Sequence, residues 1–158
     1  MIARCSSESW SRVAMKANDS VPRMADTTAS LHGEDNMAAA LGFEIHEVEP
    51  DLARGGFEVT DRVRQPFGIV HGGAYAALGE TLASVGTYRA VFEDGMAAMG
   101  QSNYTSFLRP VSEGYVSAEA RPLHRGRTTW VWDVEFTDDD GRVCAVTRVT
   151  MAVRPAPG

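Results

Sequence analysis

The segment Gly72–Tyr88, GGAYAALGETLASVGTY, constrains the fold more than any other stretch of the chain. It is rich in Ala and Leu and too long for one strand. The reading is a helix that opens at His71-Gly72-Gly73 and runs to about Phe92, where Glu93-Asp94-Gly95 turns the chain. Almost everything around it reads as strand. A short helical run, Met37–Leu41, ends at Gly42. Phe43–Val48 alternates weakly and closes at Pro50. Phe57, Val59 and Val63 alternate with polar neighbours and predict a half-buried strand. After the helix come Met96–Leu108, Gly114–Ala120 and the Trp130, Trp132, Val134, Phe136 face. An Asp-Gly hairpin turn over 138–141 follows, then a last strand carrying Val143, Ala145, Val149, Met151 and Val153. Sequential strands joined by short turns pair antiparallel. A single apolar helix against one such sheet is an α+β architecture.

The rest of the chain narrows the function classes. Its 158 residues suffice for one domain, expected over residues 37–155. Residues 1–36 are polar and aperiodic, and are expected to form a disordered N-terminal extension; a start codon set too early would also account for residues 1–23. The opening run is a poor secretory signal, and no apolar run reaches 18 residues, so no membrane is implicated. A net charge of -6 argues against nucleic acid as a partner. Cys5 and Cys144 have no metal-ligand spacing and suggest no structural disulfide, which fits a cytoplasmic location without a metal or cofactor.

Within the helix, Glu80 is the one charged residue between Gly72 and Tyr88. A helix apolar nearly all round is expected to be buried nearly all round. A carboxylate there is either a structural group satisfied by backbone N–H groups or an Arg, or a functional one with a raised pKa. Gln65, in a turn-prone Gln-Pro-Phe-Gly segment, and His71 stand just ahead of the helix. Gly72 and Gly73 leave backbone N–H groups at its start, where a developing oxyanion is stabilised.

Gln65-Pro66-Phe67-Gly68-Ile69-Val70-His71-Gly72-Gly73, followed by Glu80 and Ser84, resembles the motif of hotdog-fold thioesterases of the phenylacetate-degradation type. The resemblance is strongest to the enterobactin-pathway proofreading thioesterases and extends to the 4-hydroxybenzoyl-CoA thioesterases, whose catalytic carboxylate lies on the central helix. The similarity continues through Phe107-Leu108-Arg109-Pro110 and Leu123-His124-Arg125-Gly126-Arg127 to Asp140-Gly141-Arg142, covering about residues 37–154. It implies a hotdog fold and hydrolysis of acyl-CoA thioesters, aryl-CoA preferred. Glu80 would be nucleophile or general base, and the Gly72 N–H would polarise the thioester carbonyl. Gln65 and His71 would orient the thioester, and Ser84 would position Glu80 or water. It also implies homodimers or homotetramers with sites shared between subunits.

Spacing adds an independent argument. Eight residues separate Gly72 from Glu80, roughly 12 Å along one helix. One chain therefore cannot bring both to one carbonyl, whereas two antiparallel copies of the helix can. Gly79 and Gly86 with Ala76 and Ala83 are expected to let those copies pack closely. Arg121, Arg125 and Arg127, with His124 among them, form the densest basic group in an acidic chain. They are either solvated turn residues or a holder for the phosphates of CoA; the resemblance assigns His124, Arg125, Gly126 and Arg127 to CoA. Two rival activities share the scaffold: an acyl dehydratase using His71 and Glu80, and a non-catalytic acyl-CoA-binding module.

Overall fold

The computed structural model describes residues 36–156; the expected N-terminal extension lies outside them, apart from Asn36. The first helix, α1 (Met37–Leu41), is capped by Asn36, whose side chain accepts from the Ala39 N–H at 2.9 Å, and it stops at Gly42 in the left-handed region. Strands β1 (Phe43–Glu49) and β2 (Leu52–Glu58) form a hairpin. The long helix α2 (Gly72–Val91) follows a loop, and a 3-10 turn at Phe92–Asp94 ends it. Four strands complete the chain: β3 (Met96–Phe107), β4 (Tyr115–Arg125), β5 (Thr129–Thr137) and β6 (Val143–Pro155). They join β1 and β2 in one antiparallel sheet of order β1-β2-β4-β5-β6-β3 that wraps the helix, which is the hotdog arrangement.

The helix meets the sheet through Ala74, Tyr75, Leu78, Gly79, Leu82, Ala83, Gly86, Thr87 and Val91, a stripe that returns about every fourth residue. Trp132, Phe136, Val134 and Met151 of the sheet complete this core. One polar chain crosses it. The Trp132 indole N–H donates to Thr87 Oγ1 at 2.8 Å, and Thr87 donates on to the Ala83 carbonyl at 2.8 Å.

Three expectations change here. The helix is not buried all round, because a sheet covers one side of a cylinder. Glu80 is exposed on the other side, among half-buried Ala76, Ala77 and Ser84. Gly79, Ala83 and Gly86 face the chain's own sheet. A Cβ on Gly79 would lie 3.1 Å from Thr147 Cγ2, and one on Gly86 would lie 2.6 Å from Trp132 Cη2, so these small residues let the helix close on the sheet. Lastly, Val59 and Val63 belong to no strand. The strand is Leu52–Glu58, and residues 59–71 loop back toward α2 with Val59, Val63 and Val70 buried beneath the loop. Gly55 and Gly56 hide that strand in the sequence. Each is pressed by a neighbour: Glu44 O against Gly55, the Tyr115 ring against Gly56.

Candidate functional site

Two groups of residues carry chemistry, and they lie at different places along α2. The first surrounds the helix N-terminus. The loop before α2 is held by Val59 N–H to Gly114 O (2.8 Å), Val70 N–H to Val111 O (2.8 Å) and His71 N–H to Val63 O (2.7 Å). Within it, Gln65 N–H donates to Ile69 O and Gly68 N–H to Gln65 O, with Gly68 in the left-handed region at φ 80. This turn sets Gln65 half-buried beside the helix start.

His71 is the N-cap. Its Nδ1 accepts from the Gly73 N–H at 2.9 Å, so in the neutral ring the proton sits on Nε2, which remains a donor. Ala74 N–H goes to His71 O. Of the two glycine amides expected to be free, Gly73 is thus taken by the cap, and Gly72 has no partner among the described residues. Gln65, His71 and Gly72 line one cleft of about 520 Å³, walled by Tyr75, Phe107 and Leu108. The Phe107 ring lies over Gly72, where a Cβ would come within 2.5 Å of it.

The second group is about two-fifths of the way along the helix. The Glu80 carboxylate rests on Gly100 of β3, where a Cβ would stand 2.5 Å from Glu80 Oε1. Gly100 precedes a bulge that skips Gln101 in the pairing with β6. The turn bearing Glu80 is tied to the same strand: Asn103 Nδ2 donates to Ala76 O at 2.9 Å, Thr105 donates to Asn103 Oδ1 at 2.9 Å, and Thr105 meets Thr147 at 2.8 Å. The sequence reading missed Asn103; its signal is an amide in a strand run, SNYTS, otherwise suited to pairing. Ser84 is not bonded to Glu80; its hydroxyl points to Met151 Sδ at 3.9 Å. Glu80 and Ser84 are absent from the lining of the Gln65–Gly72 cleft.

The basic segment forms the β4–β5 hairpin. Arg125 donates to Pro50 O at 2.5 Å and stacks over the Trp130 ring, 4.6 Å from its centroid. His124 packs against Gly126, and Arg127 is exposed. The pairing register places Arg125 opposite Trp130, Trp130 opposite Met151 and Met151 opposite Gly100. The hairpin therefore stands level with Glu80 and away from the helix mouth. Arg121, the remaining member of the basic group, is engaged by Glu119 at 2.7 Å. Among the described residues no His, Cys, Asp and Glu cluster could hold a metal ion, and no helix is long and apolar enough to cross a membrane.

Residues 67–145 match the Thioesterase superfamily. The proofreading thioesterase EntH of Klebsiella pneumoniae is 40% identical over 129 residues, which span 80% of this chain and 93% of that protein. A solved structure of a mutant thioesterase from Pseudomonas aeruginosa, with a glutamine changed to alanine, superposes with a TM-score of 0.77 at 33% identity, covering 86% of this chain and 96% of that one. A Staphylococcus aureus thioesterase has been solved with a glutamine changed to alanine (TM-score 0.68, 34% identity, 72% of this chain and 93% of that one). The same protein has been solved with a glutamate changed to alanine (TM-score 0.73, 33% identity, 76% and 99%).

Proposed function

We propose, for a chain that belongs to the thioesterase superfamily and is a thioester hydrolase, that its substrates are acyl-CoA thioesters, with aryl acyl groups preferred. Glu80 is the catalytic carboxylate. The observation that carries this reading is the division of the polar groups: a free Gly72 amide with Gln65 and His71 in one cleft, and a carboxylate two helical turns away on the uncovered face. Each half lacks what the other supplies.

In this reading the substrate carbonyl oxygen accepts the Gly72 N–H, where the positive end of α2 stabilises the negative charge that develops on attack. Gln65 and the Nε2–H of His71 orient the thioester. Glu80, from a second copy of the chain, either attacks the carbonyl carbon or takes a proton from the water that does so. The C–S bond breaks, and coenzyme A leaves as the thiolate and is protonated; where Glu80 itself attacked, water then cleaves the acyl–Glu80 anhydride, and by either route the acid is released and the Glu80 carboxylate restored. Water is the only co-reactant. Ser84, one turn beyond Glu80, positions the carboxylate or the water. For the Staphylococcus aureus thioesterase, the glutamine and the glutamate that were replaced stand 15 residues apart, the same separation as Gln65 and Glu80.

His124, Arg125, Gly126 and Arg127 hold the phosphates of CoA, with Arg127 as the exposed guanidinium and Arg125 as the residue that fixes the hairpin. The working unit is a cytoplasmic homodimer or homotetramer of the domain 37–155. Release of free thiol from benzoyl-CoA and medium-chain acyl-CoA tests the reading. Saturable binding with no thiol release would identify a binding module. Turnover of hydroxyacyl-CoA or enoyl-CoA without thiol release would identify a dehydratase.

A further inference from the structure

Strand β3 changes phase in its middle. Side chains alternate along a strand, so two residues three apart face opposite ways. Gly100 and Asn103 are three apart, yet both face α2, because the bulge at Gln101 adds a residue between them. Met96 and Ala98 pack on the core ahead of the bulge, and Phe107 lies over Gly72 beyond it. On this face Asn103 reaches the helix backbone: its Nδ2 donates to Ala76 O at 2.9 Å. A carbonyl only accepts, and this fixes the direction of every bond behind it. Asn103 Oδ1 accepts from Thr105 at 2.9 Å, and the buried Thr147 hydroxyl therefore donates to Thr105 at 2.8 Å.

The end of this relay falls beneath Glu80. In an α-helix the Ala76 carbonyl is the one that accepts the Glu80 N–H, so Asn103 holds the same oxygen from the strand side. A helical side chain covers the turn before its own Cα, which sets the Glu80 carboxylate over the turn that Asn103 holds. The carboxylate also rests on Gly100, where a Cβ would push it aside. One strand thus fixes Glu80 in two ways, and the bulge is what lets it do both. Packing does not call for an amide here, since Met96 and Ala98 on the same face are apolar. Resting on the reading of Glu80 as the catalytic carboxylate, we infer that Asn103 is a positioning residue that sets where this carboxylate stands relative to the thioester. It acts through the backbone of the helical turn and not on the substrate. Misplacing a reacting group by about 1 Å can cost about 10²-fold in rate, so a single bond to the turn suffices to matter.

The experiment is a double-mutant cycle on hydrolysis of benzoyl-CoA, built from Asn103→Leu, Glu80→Gln and the two together. Asn103→Leu is expected to lower kcat by about ten- to a hundredfold and to leave KM within about twofold. In the Glu80→Gln background the same change is expected to cost nothing further, because no carboxylate is left to position. A residue that merely pins the helix to the sheet would cost the same factor in both backgrounds. That result, or no loss in either background, overturns the inference. Melting temperature checks that each variant is folded at the assay temperature, and the smaller change Asn103→Ala is carried alongside. Loss of the fold in both variants would make Asn103 structural and also overturns it. A folded Glu80→Gln chain that turns over at the wild-type rate is a different failure: it removes Glu80 from the mechanism and takes the positioning role with it.

Discussion

If each site draws on two chains, two differently disabled chains should repair one another. Glu80→Ala removes the carboxylate, and the double variant Gln65→Ala with His71→Ala removes the orienting groups at the helix mouth. Each alone is expected to lose about 10²- to 10⁴-fold in kcat, the usual loss for a positioned acid–base group. The geometry sets what happens on mixing. Eight residues of α2 put Gly72 and Glu80 about 12 Å apart along the axis, whereas reacting groups must approach to about 3–3.5 Å. A dyad-related copy running antiparallel closes that gap. In a mixed dimer one site then collects every defect and the other is intact. Random exchange of equal amounts makes about half the dimers mixed, each with one working site of two, so about one quarter of wild-type activity should return. The assay is thiol release against time after mixing, with exchange followed by native mass spectrometry of subunits of distinct mass. Exchange that reaches completion with activity still at the level of the inactive parents would refute the shared site and return Glu80 to work with its own chain.

Glu80→Gln should keep the melting temperature and lose about 10²-fold or more in kcat, because the side chain is exposed and no core contact depends on its charge; near-normal turnover by a folded variant would remove Glu80 from the mechanism. Thr87→Val should lower stability by about 1–3 kcal/mol in chemical denaturation, since it leaves the Trp132 indole N–H buried and unpaired. Arg127→Ala should raise KM for CoA thioesters severalfold at low ionic strength, with the difference shrinking as salt is added. Arg125→Ala should in addition lower the melting temperature, because it removes the hydrogen bond to Pro50 O and the stacking on Trp130.

The element order was legible because periodicity and turn chemistry act locally. Trp130, Trp132, Val134 and Phe136 alternate as a half-buried strand must, and Gly42 and Gly95 end helical segments in the left-handed conformation that glycine adopts most easily. What failed was the translation of apolarity into place. Val59 and Val63 keep the spacing of a strand, yet they are buried because a loop folds its side chains under itself. The apolar circumference of α2 did not say which part meets the chain's own sheet, so Gly79, Ala83 and Gly86 were given to a partner that they do not face. The candidate site was visible as a set of residues but not as two halves. Asn103 escaped notice because it stands in a run whose secondary structure explains it, and its contact, with Ala76 O, lies across the fold.

The two edges of the sheet differ in kind. β1, FEIHEVE, carries three glutamates and a histidine, and such charges discourage another strand from pairing there. β3, MAAMGQSNYTSF, has no charge and no proline, and it exposes Met99, Tyr104 and Phe107. A sheet with two open edges could add copies without end, as fibrils do. With one edge guarded, copies that met through β3 would use up that edge on both partners, and the sheet could not grow further along it. A copy that stood alone would leave an uncharged edge twelve residues long open to any strand that met it.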